Sequence, residues 1–199
     1  MVIAYLDECA RGNIFGDVYS AACIPNENLP ETPFAVKSWD SKKLSPKKRK
    51  ILSEWIKQNS TWAVGTATPV EIDEINILNA TMRAFHRALD KITVDFDEIF
   101  CDGNRFAPYI SKKINDFVPH KCFEKGDDLF QGIGMASIVA KVAHDEYIHK
   151  LCDEQPELDE KYNLKRNQGY GTRAHIEGIK QYGYTELHRR TYKIKSLMI

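Results

Sequence analysis

Residues 2–6 (VIAYL) form an apolar run with no polar alternation. A strand that is apolar on both faces must be covered on both, which points to an α/β sheet lying between helix layers. Residues 18–24, 62–68, 98–101 and 121–124 read as further strands. Helices alternate with them. Ser45 before Pro46 marks a helix start, with serine as N-cap and proline in the first helical position. Ile51, Leu52, Trp55 and Ile56 mark one face of the helix that follows. Pro69 opens a short acidic helix, residues 77–91 a longer one, and residues 129–151 the longest, although Gly132 and Gly134 weaken its first turn. Helices are also predicted over 108–117 and 173–182. Residues 25–33 read as a proline-rich surface loop and 153–168 as a polar connector. No repeat or linker divides the chain, so residues 1–199 are taken as one domain, with about 153–199 as a C-terminal extension.

Two of the apolar strands run into carboxylates. Asp7 and Glu8 follow the first run, and the chain then turns at Ala10-Arg11-Gly12. Neighbours on a strand point to opposite faces, but at a strand end both can still reach one site. Taken alone, the pair fits a strand leaving the core equally well. Asp102 closes the run 99–101, and strand ends of a parallel sheet share the crevice where ligands bind. Asp127 and Asp128 precede the long helix, as a cap or as metal ligands. Carboxylates brought together repel one another unless a cation neutralises them. Oxygen-only ligands suit Mg²⁺ or Mn²⁺ rather than zinc, and a pair of such ions serves phosphoryl transfer.

The 28 basic and 28 acidic side chains cancel in sum but not in place. Residues 42–50 (KKLSPKKRK) hold six basic residues and no acidic one, and in 161–195 nine basic residues face only Glu177 and Glu186. Together with HRR (188–190), Lys193 and Lys195, these segments offer phosphate contacts beside an acidic site. The five cysteines form no CxxC pair, so no disulfide framework is expected. The longest uncharged apolar stretch, 129–140, is too short to cross a bilayer, and the chain reads as soluble and cytoplasmic. His144 and His149 are five residues apart, about 140° around a helix, and cannot share a zinc ion as an i, i+4 pair does; both are placed on the helix surface. Glycine-rich nucleotide loops and a Gly-x-Ser-x-Gly elbow are absent.

Six blocks, in order, resemble the ribonuclease HII (type 2 ribonuclease H) family: DECARG (7–12), DSKKLSPKKR (40–49), INILNATMRA (75–84), CDGN (101–104), KGDD with SIVAKVAHDEYI (125–128, 137–148), and NQGYGTRAH with YGYTELHRRTY (167–192). The resemblance implies a ribonuclease H-like fold, a mixed five-stranded sheet flanked by helices with a C-terminal helical segment. It also implies a two-metal Mg²⁺ or Mn²⁺ endonuclease. Its substrates would be the RNA strand of RNA–DNA hybrids and ribonucleotides embedded in duplex DNA, cut on the 5′ side to leave 5′-phosphate and 3′-hydroxyl ends. The four acidic ligands of the family map onto Asp7, Glu8, Asp102 and Asp127, the KGD triplet selecting Asp127 over Asp128 and Asp145. Its ribose-reading Gly-Arg-Gly turn maps onto Ala10, Arg11 and Gly12, and its assisting tyrosine onto Tyr170; the 2′-hydroxyl is what separates RNA from DNA locally. Ser41, Lys42 and Lys43 are the phosphate contacts the resemblance suggests.

Ala10 departs from the family's glycine. If that position needs φ > 0, alanine costs on the order of 1 kcal/mol, which bears on single embedded ribonucleotides more than on long hybrids. Phe15-Gly16 is similar to ribonuclease HIII, which carries an added N-terminal substrate-binding domain; with strand one at residue 2, type HII is the better fit. The alternatives are another ribonuclease H-fold nuclease acting on DNA, or a non-catalytic nucleic-acid-binding module. A monomer without an obvious protein partner is expected, since KIKSLMI (193–199) shows no sliding-clamp peptide.

Overall fold

A computed structural model describes residues 1–194; Lys195 and most of the KIKSLMI segment lie outside the described residues. Five strands form one mixed sheet: β1 (Ile3–Cys9), β2 (Val18–Pro25), β3 (Ser60–Ala67), β4 (Glu98–Asp102) and β7 (His120–Phe123). Their order is β3-β2-β1-β4-β7, with β1, β2 and β3 successively antiparallel and β4 and β7 parallel to β1. Both faces are covered, as the unalternating apolar runs require. On one face Ala4, Leu6, Ala22 and Ile99 pack on Phe85, Ala88 and Leu89 of α2 (Pro69–Leu89). On the other, Ala21 and Cys23 meet Leu52 and Ile56 of α1 (Pro46–Gln58) and Met135, Ile138 and Val139 of α4 (Gln131–Glu154).

Local chemistry explains the helix boundaries. The Ser45 hydroxyl accepts from the Lys48 N–H at the start of α1, as its sequence predicts, but Ile51 lies 43% exposed rather than on the buried face. Helix α2 opens on a reciprocal Thr68–Glu71 capping box and breaks at Asn76 (φ 65°), whose Oδ1 caps the next turn through the Asn79 N–H; the acidic helix and the longer one are thus distinct. The glycines of α4 serve close packing. A Cβ on Gly132 would sit 2.3 Å from the Tyr5 ring, and one on Gly134 2.3 Å from Trp39 Cβ.

Three expectations are corrected. Residues 108–117 are no helix but the hairpin β5 (Tyr109–Ser111) and β6 (Asp116–Val118). Tyr109 is buried with its hydroxyl on Asp90, and Lys112 and Lys113 pair with Asp90 and Asp95, so distant partners override helix propensity. The connector 153–168 contains α5 (Pro156–Tyr162) and α6 (Leu164–Asn167). Leu158, Tyr162 and Leu164 pack there on Phe15, Ile148 and Ile179, the last from α7 (Arg173–Tyr182). His144 is buried, not on the helix surface, although His149 is exposed. A short helix, α3 (Gly126–Leu129), precedes α4. The five cysteines are free, and among the described residues no helix is long and apolar enough to cross a membrane.

Candidate active site

Strands β1 and β4 run side by side as far as the pair Leu6–Cys101. There β4 ends on Asp102, while β1 continues along β2 through Asp7, Glu8 and Cys9. The edge of β1 that β4 leaves open becomes a cleft of about 210 Å³, and Asp7, Glu8, Asp102 and Asp127 all line it. The strand therefore runs through the two carboxylates rather than stopping before them.

Each carboxylate is held by the backbone around it. Asp7 is buried and its Oδ1 accepts from the Glu8 N–H at 2.7 Å. Glu8 Oε1 meets Arg11 Nη1 at 3.1 Å. Asp102 Oδ1 accepts from the Gly126 N–H at 2.7 Å, which pins α3 to the end of β4 and brings Asp127 to the cleft. Asp128 is exposed and paired with Lys43 at 3.4 Å, and Lys43 also reaches Asp40 at 3.5 Å. Asp145 stands outside this cleft, held by Lys141 at 2.7 Å, His144 at 3.0 Å and Arg49 at 3.2 Å.

The electrostatics of the cleft are unbalanced. Burial pushes the Asp7 carboxyl well above the usual carboxylate range, and the charges of Glu8 and Asp102 push it further; the Ser137 hydroxyl and the Glu8 N–H oppose this only in part. Glu8 is raised by burial despite Arg11. Asp127 is raised by burial, then by Asp102, Asp40 and Asp128. Cys9 also lines the cleft, but burial holds its thiol protonated, leaving oxygen donors only. Among the described residues no three ligand side chains close into a cage, and Asp7, Glu8 and Asp102 each accept from a protein donor. The donor set is the hard, anionic one that suits Mg²⁺ or Mn²⁺, and its repulsion is of the kind a bound cation relieves.

The other sequence-selected residues surround these acids. Ala10 adopts φ 67°, the left-handed conformation that favours glycine, and begins the turn with Arg11 and Gly12. Tyr170 is 42% exposed, with its ring edge over Gly12 and Lys141 Nζ 5.9 Å from its centroid. Its neighbour Gly169 (φ +82°) lies so close to Phe15 O that a Cβ there would come within 2.9 Å. Ser41 and Lys42 line the cleft, Ser41 buried and accepting from Ser137; Lys43 does not line it.

Two parts of the basic clusters turn inward. Arg49 is buried on Ser41 O, Leu44 O and Asp145. His188 and Arg189 are buried too, so of the HRR triplet only Arg190 is exposed. Arg189 donates to Gly16 O and Ala10 O at 2.8 Å each and to Arg11 O at 3.1 Å, which staples the turn in place. Sequence reading passed over Asp40, Ser137 and Lys141, which also line the cleft. The signal lay in the quoted blocks: Asp40 opens DSKKLS, and Ser137 and Lys141 are i, i+4 neighbours on the predicted long helix. Arg189 gave no such signal, because a buried arginine in a basic triplet reads like a solvated one.

The family model for ribonuclease HII matches residues 5–195. The chain belongs to the ribonuclease HII family. Ribonuclease HII of Christiangramia forsetii is 42% identical over 196 residues, covering 98% of this chain and 91% of the relative. Among solved structures, ribonuclease H2 from Pyrococcus horikoshii matches with a TM-score of 0.73 at 26% identity, covering 97% of this chain and 94% of that one. Ribonuclease HII from Archaeoglobus fulgidus, solved as a complex with PCNA, shares the fold with a TM-score of 0.75 at 19% identity, covering 98% and 96%. Membership of the ribonuclease HII family makes the chain a type 2 ribonuclease H, a nuclease on a ribonuclease H-like fold.

Proposed function

We propose that the cleft is the catalytic centre of a divalent-metal-dependent endonuclease. It cuts the RNA strand of RNA–DNA hybrids and the 5′ side of ribonucleotides embedded in duplex DNA, leaving 5′-phosphate and 3′-hydroxyl ends. The observation that carries this reading is the unbalanced group of Asp7, Glu8, Asp102 and Asp127 directly beside the turn at Ala10, Arg11 and Gly12. These four carboxylates would hold Mg²⁺ or Mn²⁺. The chemistry such ions supply is polarisation of a phosphate and neutralisation of the charge that builds on it during displacement.

The chain's own residues bind and orient. Lys42 and Lys141 line the cleft and attract the phosphate; Lys43 stands outside it, paired with the cleft-lining Asp40 and with Asp128. Lys141 also borders a larger groove of about 1080 Å³ between α1 and α4, where Lys50, Lys150 and Lys165 are paired with Glu146, Glu154 and Asp153, and Lys47 and Arg166 add positive charge. Lys47 and Arg166 there are placed to meet the phosphates of a duplex leaving the cleft. The Tyr170 ring and the backbone of the turn converge where a ribose next to the phosphate would lie, and contacts to the 2′-hydroxyl there provide the choice of RNA. Residues 1–199 act as one catalytic domain, with the part after about residue 153 contributing Tyr170 and the elements that hold it. For partners, the reading keeps nucleic acid and drops the expectation that no protein is engaged, since an archaeal member of the fold has been solved with PCNA.

Asp7→Asn tests the assignment. It keeps the Oδ1 acceptor for the Glu8 N–H and removes one charge, so hybrid binding should persist while Mg²⁺-dependent turnover is lost. Near-normal turnover would contradict it.

A further inference from the structure

Tyr170 carries an exposed ring whose place is set through its backbone. That backbone ends a chain of buried hydrogen bonds starting in the segment after α7. The Thr185 N–H donates to His188 Nδ1 at 2.9 Å. His188 Nε2 faces His175 Nε2 at 3.1 Å. His175 Nδ1 lies 3.0 Å from the Tyr170 carbonyl. Both rings are fully or almost fully buried, His175 at 0% and His188 at 1% exposure.

The two ends of this chain fix every proton in it. His188 Nδ1 meets both the N–H and the hydroxyl of Thr185 at 2.9 Å. The N–H can only donate, so Nδ1 is unprotonated and the His188 proton sits on Nε2. The hydroxyl donates to Nδ1 as well while accepting from the Leu187 N–H. A carbonyl can only accept, so the His175 proton sits on Nδ1 and its Nε2 receives the proton of His188. One arrangement satisfies all three contacts: both rings neutral, in opposite tautomers. Burial favours that state, lowering both pKa values and driving His188 to about 3. The rings of Phe15, Tyr162 and Tyr184 pack edge-on around His188 and hold it in register. On the other side of Tyr170, Asn13 donates to Gln168 O at 2.6 Å and bridges to Tyr170 itself.

We propose that His175 and His188 are positioning residues for ribose selection: their relay fixes the Tyr170 backbone and through it the ring beside the Ala10-Arg11-Gly12 turn. The inference rests on the ribose-reading role proposed above for Tyr170. A ring displaced by a fraction of an ångström still lets the phosphates bind but holds the sugar badly, so the relay acts on turnover more than on affinity.

Two measurements test this. Long-range ¹H–¹⁵N spectra of the unmutated protein at neutral pH should show two neutral rings, His188 as the Nε2–H tautomer and His175 as Nδ1–H. A charged ring or either opposite tautomer overturns the relay, whether or not any variant folds. The second is a double-mutant cycle on a duplex with one embedded ribonucleotide. His175→Phe keeps the ring volume without the donor and should lower kcat about tenfold with KM within about twofold. His175→Asn, which returns a donor near the Nδ1 position, should recover most of that loss; no recovery counts against the relay. In a Tyr170→Ala background the His175→Phe effect should vanish. If it persists there undiminished, the relay is overturned while the Tyr170 role stands. If Tyr170→Ala alone changes nothing, the ribose-reading role is wrong and the proposal falls with it.

Discussion

Glu71, in the helix that follows edge strand β3, and Asp7, on the central strand β1, show two ways of placing a carboxylate in this fold. Glu71 closes the Thr68 cap of α2 and receives Arg83 Nη1 and both terminal nitrogens of Arg87, each at 2.8 Å. The Arg87 hydrogen bonds, then those of Arg83 and Thr68, outweigh burial and hold its carboxyl down at about 2. Asp7 is buried beside two more acids and is pushed up instead. The fold brings cations to the first carboxylate and withholds them from the second, although basic residues are plentiful nearby. Lys43 goes to Asp40 and Asp128, and Lys141 to Asp145. A structural acid arrives with its partner, whereas among the described residues Asp7, Asp102 and Asp127 pair with no basic side chain and are left for a cation from solution.

Replacing each acid by its amide should therefore have opposite consequences. Asp7→Asn is expected to lower turnover by roughly 10²- to 10³-fold or more while leaving the melting temperature unchanged or higher, since it relieves repulsion. Mn²⁺ should raise the melting temperature of the wild type and much less that of the variant, a comparison read by calorimetry. A clear loss of stability in Asp7→Asn would erase the distinction between the two acids. Glu71→Gln should leave turnover unchanged and lower stability by about 1–2 kcal/mol in denaturant titrations. The folded pKa of Glu71 lies below its ordinary 4.5, so its contribution is present above pH 4.5 and fades toward about 2; the variant should show a shallower acid limb in that window.

The buried histidines sharpen the same contrast from the cationic side. His188 falls from 6.5 to about 3 because burial disfavours its charge, so the unfolded chain binds more protons between those values. The contribution of its neutral ring should be full above pH 6.5 and decline as pH falls toward 3, and His188→Gln should remove that slope in the part above 4.5, where Glu71 does not titrate. The smallest expected effect is at Ala10, which is held at φ 67° with its carbonyl on Arg189. Ala10→Gly should stabilise the protein by about 1 kcal/mol or less, as measured by urea unfolding, with the turn unmoved.

What could be read from sequence was whatever local chemistry decides. The Ser45-Pro46 start of α1, the break between the two halves of α2 and the bounds of α7 follow from caps, breakers and periodicity. The unalternating runs correctly required helices on both faces of the sheet. Contacts between distant residues were harder to read. Lys112 and Lys113 look like exposed helix residues until Asp90 and Asp95 are seen beside them. Leu158, Tyr162 and Leu164 are too few to mark a core strip without Phe15 and Ile148 opposite. At the site, strand-end carboxylates were visible because charge after an apolar run is conspicuous. Asp40 and Ser137 left a signal only in their blocks, and the buried Arg189 left none, because its role depends on which segments the sheet and the C-terminal chain bring together.

The account is tested most directly by incubating the protein with Mg²⁺ or Mn²⁺ and three labelled duplexes: all-DNA, DNA with one embedded ribonucleotide, and a continuous RNA–DNA hybrid. It predicts metal-dependent cutting of the hybrid and of the single ribonucleotide on its 5′ side, with the all-DNA duplex intact. Cleavage of all three alike, or of none when metal is supplied, would contradict it.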